Sequence, residues 1–227
     1  MKISRGRLLL ILGIVLVVVD QVIKVLVKTN MTLGESFNVF GDWFRIYFIE
    51  NEGMAFGMKF GGAVGKFILS FLRIGLFAAI VWWVSRLLKR PGTPTGVVVG
   101  LTMIAAGAMG NIIDCYFYGL IFSESTPWQV AYLGGSYAPF MFGKVVDMFY
   151  FPIIDTQFPD WMPLIGGDPF RFFAPVFNFA DSCVTCGALY LIAFQYRFFM
   201  TEDSSASVTA DGDSRPGKAP KKRASKK

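Results

Sequence analysis

The chain has 227 residues, of which 54% are hydrophobic and 17% are charged, and its formal net charge is +6. In soluble domains about a quarter of the residues are charged, so this composition predicts a membrane protein. Histidine is absent, which excludes Ser-His and Cys-His nucleophile systems and His-ligated zinc sites and leaves hydrolytic chemistry to carboxylate, lysine or cysteine side chains.

Four apolar runs are each long enough to supply the roughly 20 residues that cross a bilayer core. We predict membrane spans at about 8–27, 67–88, 97–114 and 175–198. The first run follows a basic start, as the apolar region of a cleaved signal peptide does. It lacks a small-residue cleavage site, and its apolar pattern resumes after Asp20, so we interpret it as a retained first helix.

The segments between the spans differ in character. If both termini are cytoplasmic, most of the Lys and Arg residues that flank the spans lie on the cytoplasmic side. The positive-inside rule therefore favours this orientation. Segments 28–65 and 115–172 then lie outside. Alternation around 44–48 predicts a small outer sheet, and the second segment predicts a partly irregular outer lobe. Together, 1–200 form the membrane domain, and 201–227 are predicted to be a disordered basic cytoplasmic tail.

Apart from Arg86 and Arg197, which belong to the basic flanks on the cytoplasmic side, the ionisable residues within the spans fall near the outer ends of the predicted helices. Asp20 and Lys24 are four positions apart and share a helix face. Asp114 ends the third span, whereas Arg73 and Asp181 lie near the starts of the second and fourth. Charges inside a membrane are costly unless paired or hydrated, and they usually mark function. A structural ion pair explains Asp20 and Lys24 equally well, but it explains the whole group at one depth less well.

Five short motifs contain the polar residues of this group other than Arg73. They are Asp20-Gln21-x-x-Lys24, Asn51-x-Gly53-x-Ala55-Phe56-Gly57, Gly110-Asn111-x-x-Asp114, Val145-Val146-Asp147-Met148 and Phe177-Asn178-x-Ala180-Asp181. In this order the sequence resembles the lipoprotein signal peptidases (signal peptidase II) of bacteria, which are aspartyl peptidases. The resemblance implies that Asp147 and Asp181 are the catalytic pair. It also implies supporting or substrate-binding roles for Asp20, Lys24, Asn51, Gly53, Asp114 and Asn178.

The fold expected from the residues is an all-α membrane protein with four transmembrane helices, a small outer β-sheet and an extra outer lobe. The resemblance further implies a reaction. The expected enzyme is an aspartic endopeptidase of the bacterial inner membrane that cleaves prolipoproteins before a diacylglyceryl-modified cysteine. Its partners would be these prolipoproteins and membrane lipid, without nucleic acid. We expect no cofactor, no metal and a monomeric state.

Two features depart from the family pattern. Cys115 occupies the position after the Gly-Asn-x-x-Asp aspartate, where family members commonly have arginine, and Arg73 is the candidate to replace that arginine. The stretch 115–144 is longer than the family's usual connection and predicts an extra outer lobe. Cys183 and Cys186 form a C-x-x-C, which we interpret as helix-packing residues rather than a redox site because no thioredoxin-like pattern surrounds them.

Two close carboxylates suit peptide hydrolysis because they share one proton and can supply both base and acid. Asn178 is three positions before Asp181 and is predicted either to orient that carboxylate or to cap the helix. Asn51 and Gly53 suit either an extended peptide-binding segment or a plain tight turn.

Three other functions remain open from the residues alone. An ion-coupled transporter would use intramembrane carboxylates as a proton relay, but it predicts polar residues spread through the membrane depth. A metal-dependent enzyme would use Asp20, Asp114, Asp147 and Asp181 as ligands. A noncatalytic membrane scaffold would not need intact aspartate motifs, so the presence of these motifs argues against it.

Overall fold

The structure, a computed structural model, describes residues 3–52 and 62–200. Its helices are α1 (Arg5–Asn30), α2 (Gly62–Lys89), α3 (Thr95–Ile113), α4 (Gly119–Ile121) and α5 (Phe179–Phe194). Its strands are β1 (Ser36–Phe40), β2 (Phe44–Asn51), β3 (Val145–Tyr150), β4 (Ile154–Gln157), β5 (Pro169–Phe172) and β6 (Val176–Phe177). A π-helical segment, Asp114–Tyr118, joins α3 to α4.

Three helices of the described part are long and apolar enough to cross a bilayer, namely Arg5–Asn30, Val64–Lys89 and Thr95–Ile121. Apolar helices therefore lie where the first three spans were predicted, and the spans themselves stay predictions. Helix α5 is also apolar but has 16 residues, which reach about 24 Å at 1.5 Å per residue, less than the ~30 Å of a bilayer core. The fourth span remains a prediction.

α3 is the central helix of the bundle, because it packs against α1, α2 and α5. Small residues bring α3 and α5 close together. A methyl group at Gly100 would lie 2.7 Å from Leu191, and one at Gly187 would lie 2.8 Å from the Gly100 carbonyl oxygen. Helices in membranes commonly associate in this way, because small residues let the backbones approach. The outer surfaces of α1 and α2 are largely apolar and exposed, as lipid-facing helices require.

The helix directions bring four helix ends together. Gly13 of α1 faces Thr102 of α3, and further along Gly110 of α3 faces Asp20 of α1, so these two helices run parallel. α5 runs antiparallel to α3, and α2 runs antiparallel to α1 because Gly6 faces Leu88. The ends of α1 and α3 therefore meet the starts of α2 and α5 at one end of the bundle, which we call the sheet end.

The main sheet covers this end and has four antiparallel strands in the order β1-β2-β3-β6. β1 and β2 confirm the sheet predicted between the first two spans. β3 and β6 were not predicted as strands, and the fourth helix begins at Phe179 rather than near 175. The chain is extended at Val176 and Phe177 because it pairs with Tyr150 and Phe149 before entering the helix.

The predicted outer lobe, 115–144, contains the π-helical segment, α4 and a loop up to β3. Its residue Phe122 is buried with Phe48 of β2 and Val146 of β3. The lobe therefore packs against the sheet. A separate hairpin, β4–β5, follows β3.

Two predictions lie outside the described residues. One concerns Gly53 and the neighbouring Ala55, Phe56 and Gly57, and the other concerns the tail 201–227.

Candidate active site

Asp147 and Asp181 lie at the sheet end of the bundle, each on a different element. Asp147 is the third residue of β3, and its side chain is almost fully buried. Asp181 is in the first turn of α5 and is half-buried. β3 and the segment leading into α5 are joined because Phe149 pairs with Phe177 in the sheet. The two aspartates predicted to form the catalytic pair are thus brought together by strand pairing.

Three asparagines hold the two carboxyl groups in place. Asn178 donates from its side-chain nitrogen to Asp147 Oδ1 at 2.6 Å, and Asn51 donates to Asp147 Oδ2. Asn111 donates to Asp181 Oδ1 at 2.8 Å. The Asn178 nitrogen also lies 3.1 Å from Asn111 Oδ1. The carboxyl groups therefore belong to one continuous hydrogen-bonded network.

Asn178 is also the N-cap of α5. Its side-chain oxygen accepts from the Asp181 backbone N–H at 2.9 Å, and the Asp181 carboxylate accepts in turn from the Asn178 backbone N–H at 3.4 Å. This is a reciprocal capping box, which satisfies donors that a helix start leaves unpaired. The sequence left open whether Asn178 caps the helix or orients a carboxylate, and in the structure it does both.

The environment of Asp147 favours its protonated form. Burial raises the pKa of Asp147 to about 7, and the neighbouring Asp181 carboxylate contributes to the rise. Hydrogen bonds from Asn178 and Asn51 and the charge of Lys24 act in the opposite direction. Desolvation and a like charge are the usual means by which one carboxyl group of a pair retains its proton near neutral pH.

Lys24 of α1 is fully buried at the centre of a second polar group. Its Nζ lies 3.0 Å from Asp20 and 2.7 Å from Asp114, and it donates to Asn111 Oδ1 at 2.9 Å. Gln21 donates to the same two carboxylates at 3.1 Å and 3.0 Å. A buried cation is tolerated where carboxylates pair with it and hydrogen bonds satisfy its donors.

The Lys24 group also contacts the backbone beside each candidate catalytic residue. Asp20 accepts from the Ala180 backbone N–H at 2.9 Å, and Asp114 accepts from the Val146 backbone N–H at 3.3 Å. Ala180 and Val146 directly precede the two candidate catalytic aspartates. The buried ion group therefore fixes both the helix start and the strand on which those aspartates lie.

Two contributors were in the motifs but were not singled out from the sequence. Asn111 and Gln21 connect the lysine group to the carboxyl pair and to Tyr118, whose hydroxyl donates to Gln21 at 3.1 Å. The signal that could have identified them is their polarity at the same depth as Asp20 and Asp114. Arg73 of α2 donates to the Cys115 sulfur at 2.9 Å.

A cavity of about 640 Å³ opens beside Asp181. The sheet and the segment before α5 supply its aromatic wall, and the first turns of α5 supply its polar edge. The lining includes Phe44, Phe149, Phe151, Phe173, Pro175, Phe177, Asp181, Ser182, Thr185 and Cys186. This combination of an apolar chamber and a carboxylate at its edge suits a substrate with an apolar group next to the reacting bond.

The four aspartates that a metal site would have used are divided between two groups. Asp20 and Asp114 flank Lys24, whereas Asp147 and Asp181 accept from asparagine amides. Within residues 3–52 and 62–200, three or more acidic or sulfur ligands do not come together as a metal site. The arrangement instead suits proton exchange between two carboxyl groups.

Comparison with known proteins identifies similar chains. The family model for signal peptidase (SPase) II matches residues 12–197. Lipoprotein signal peptidases from two strains of Porphyromonas gingivalis are each 45% identical over 194 residues, which is 84% of this chain and of theirs. The lipoprotein signal peptidase of Amoebophilus asiaticus is 32% identical over 183 residues, covering 80% of this chain and 74% of that protein.

The fold also matches a solved structure. A bacterial membrane enzyme aligns with a TM-score of 0.54 at 22% sequence identity, over 93% of this chain and 94% of that one. This likeness shows a shared fold.

Proposed function

The chain belongs to the signal peptidase II family, and from this we propose that it is an aspartic endopeptidase that removes signal peptides from prolipoproteins, with Asp147 and Asp181 as its catalytic pair. The observation that carries the proposal is the network around Asn178, which joins the two carboxyl groups at the edge of an apolar cavity.

The reaction needs a water molecule between the two carboxyl groups. The ionised member of the pair takes a proton from this water, while the protonated member donates its proton to the oxygen of the scissile carbonyl. The water oxygen bonds to the carbonyl carbon. The tetrahedral intermediate then collapses: one of its two hydroxyl groups returns a proton to the ionised carboxylate, the C–N bond breaks, and the leaving amine receives a proton from the other carboxyl group. The pair thereby regains its single shared proton. We assign base and acid to the pair as a unit and not to either residue alone.

The amide groups set the geometry of this exchange. Asn178 and Asn51 each donate to one oxygen of Asp147, so its carboxyl plane is fixed relative to Asp181. Positioning of this kind lowers the reaction barrier because reacting groups need no further ordering. Lys24, Asp20 and Asp114 act through the backbone and through Asn111 rather than by touching substrate.

The substrate class follows from the family and from the cavity. The relatives are lipoprotein signal peptidases, and we infer that the substrate is a prolipoprotein whose cysteine carries a diacylglyceryl group. The phenylalanine-lined cavity beside Asp181 suits the apolar chains of that group, which would lie in the membrane while the bond before the cysteine reaches the pair. Asn51 and Gly53 would then bind the extended peptide.

The proposed arrangement in the membrane follows from the same residues. We infer four spans, with α5 as the fourth, and both termini in the cytoplasm of a bacterial inner membrane. The sheet end then faces outward, where an acylated cysteine lies. Arg73 reaches the Cys115 sulfur, so a guanidinium group lies beside the position where family members commonly have arginine, and we assign it a supporting role. We propose that the enzyme acts as a monomer without cofactor or metal.

The proposal is tested by incubating purified protein in detergent with a diacylglyceryl-modified prolipoprotein peptide. We expect cleavage before the modified cysteine that persists in the presence of a chelator. An unmodified peptide is the matched substrate control. Loss of cleavage upon chelation would favour a metal-dependent enzyme, and absence of cleavage under all conditions would refute the proposed function.

The transporter alternative predicts polar residues along the whole membrane depth. In the described residues the buried acidic groups of the helices, Asp20 and Asp114, lie at the sheet end. This distribution supports a single site at one membrane face.

A further inference from the structure

Besides the Lys24 group, the structure has another buried ion group, on the face of the sheet opposite to Asp147. Lys28, in the last turn of α1, donates to Glu50 of β2 and to the Ser125 hydroxyl at 2.9 Å. Ser125 donates to the same Glu50 oxygen at 2.9 Å. The side chains of Lys28 and Glu50 are 0% and 2% exposed. We call Lys28, Glu50 and Ser125 the Glu50 cluster.

The cluster joins segments that are distant in the sequence. Ser125 belongs to the lobe 115–144, and the same lobe places the Tyr137 ring 5.0 Å from Lys28 Nζ. Lys144, which directly precedes β3, brings its Nζ to 3.7 Å from the second Glu50 oxygen. The end of α1, the end of β2, the lobe and the start of β3 thus meet at one carboxylate.

A buried ion pair is weak evidence for stability, because the cost of desolvating two charges often equals the attraction between them. Such a pair still holds its two partners in position, because removing one of them leaves the other charge buried and alone, which is strongly destabilising. The position fixed here is the end of strand β2. The residue that follows Glu50 is Asn51, the donor to Asp147.

The register of the sheet explains how the cluster is linked to the active site. Ile49 is opposite Asp147, Glu50 is opposite Val146 and Asn51 is opposite Val145. Alternate residues of a strand point to opposite faces. Asn51 and Asp147 therefore share the face toward Asp181, whereas Glu50 points to the other face. Contacts that hold Glu50 on one face of the sheet therefore also hold the Asn51 amide on the opposite face.

We propose that Glu50, Lys28 and Ser125 are positioning residues for the catalytic pair: they hold the end of β2 so that Asn51 keeps Asp147 oriented toward Asp181. The proposal rests on the proposed function. It gives the lobe 115–144 a role in catalysis, through Ser125, without contact between the lobe and substrate.

The test compares Glu50→Gln, Ser125→Ala, Asn51→Ala and the double variant Glu50→Gln/Asn51→Ala in the lipidated-peptide assay. Glu35→Gln is the matched control, because Glu35 is exposed between α1 and β1 and its carboxylate accepts from Thr32 of the same turn. We expect Glu50→Gln to lower kcat about tenfold with KM changed less than about twofold, because misplacement near a reacting group mainly affects the chemical step. We expect a smaller loss for Ser125→Ala and no change for the control.

The double variant separates positioning from simple folding support. If Glu50 acts through Asn51, Glu50→Gln should change kcat by less than about twofold once Asn51 is alanine, since coupled residues are not additive. An equally large loss in both backgrounds would overturn the proposal, as would a Glu50→Gln variant with wild-type kcat.

A further variant covers the possibility that Glu50→Gln does not fold. Lys28→Met/Glu50→Leu removes both charges and leaves no lone buried ion. It should fold and still lose kcat, and wild-type kcat in this variant would also overturn the proposal. If the wild-type protein itself leaves the lipidated peptide intact, the proposed function fails, which is a different result from loss of the Glu50 effect.

Discussion

Asn178 donates to Asp147 Oδ1 at 2.6 Å while its own side-chain oxygen caps the helix that carries Asp181. One side chain therefore ties the strand of one aspartate to the helix start of the other. This relationship explains why an asparagine, with both a donor and an acceptor, suits the position.

Replacement of either candidate catalytic residue should abolish activity. Asp147→Asn and Asp181→Asn each remove the carboxyl group needed for proton exchange while keeping shape, and we expect cleavage of the lipidated peptide to fall by at least about 10³-fold. Asp42→Asn is the control, since Asp42 is 89% exposed at the turn between β1 and β2. Substantial turnover in either active-site variant would refute the assignment of the pair.

The two roles of Asn178 can be separated by substitution. Asn178→Ala removes both the cap and the donor to Asp147, and we expect it to cost about 1 kcal/mol of unfolding free energy together with most activity. Asn178→Ser restores a cap oxygen but not the reach of the amide. It should therefore recover stability and not kcat, as measured by unfolding in detergent and by peptide cleavage. Equal recovery of both would indicate that capping alone matters.

The sequence predicted the residues of this site better than it predicted their arrangement. Asp147 was assigned from its motif, but its place on a strand was not predicted, because β3 and β6 pair only through contacts distant in sequence. The cap at Asn178 was among the alternatives, since a polar residue before an apolar helical run is a typical start signal. Its donation to β3 depends on tertiary packing and has no local signature.

The Lys24 group likewise could be predicted in its composition but not in its contacts. Grouping Asp20, Lys24 and Asp114 at one depth was possible from span boundaries alone. Their contacts with the backbone N–H groups of Ala180 and Val146 depend on the angles at which helices and sheet meet, which hydropathy does not give.

Activity and stability should both depend on the protonation of Asp147. Its pKa is raised from 3.8 to about 7, so between these values the folded protein keeps a proton that the unfolded chain releases. The free energy of unfolding should therefore fall as pH rises from about 4 to about 7 and then level off. This slope should be weaker in Asp147→Asn when unfolding is measured across that range. An unchanged slope would contradict the raised pKa.

The same carboxyl group predicts the pH profile of cleavage. The pair needs one proton, so kcat/KM should decline above about pH 7 as Asp147 loses it. Asn51 donates to Asp147 and lowers its pKa, so Asn51→Ala should move this decline to higher pH while reducing the maximum rate. Asp181 and Lys24 also act on this carboxyl group and are retained in the variant. A shift to lower pH would show that Asn51 does not stabilise the ionised form.

Lys24 should be required for both stability and activity. Lys24→Met leaves Asp20 and Asp114 buried without their cation, and breaking a buried pair in this way typically costs about 3–5 kcal/mol. Lys89→Met is the matched control because Lys89 is exposed at the end of α2. Thermal unfolding in detergent and peptide cleavage measure the two effects. A Lys24→Met protein with wild-type stability would show that this lysine does not stabilise the fold.

Close helix packing at Gly110 should be needed to hold the ion group against α5. A methyl group at this position would lie 3.1 Å from Ala180 Cβ and against the Asp20 carboxylate. Since Asp20 binds the Ala180 backbone N–H, Gly110→Ala should move the helix start that carries Asp181, and we expect a loss of kcat of about 10²-fold. Gly75→Ala is the control, because a methyl group on Gly75 of α2 meets nothing within 4 Å. Equal activity of the two variants would show that α3 can shift away from α1 and α5 without disturbing the carboxyl pair.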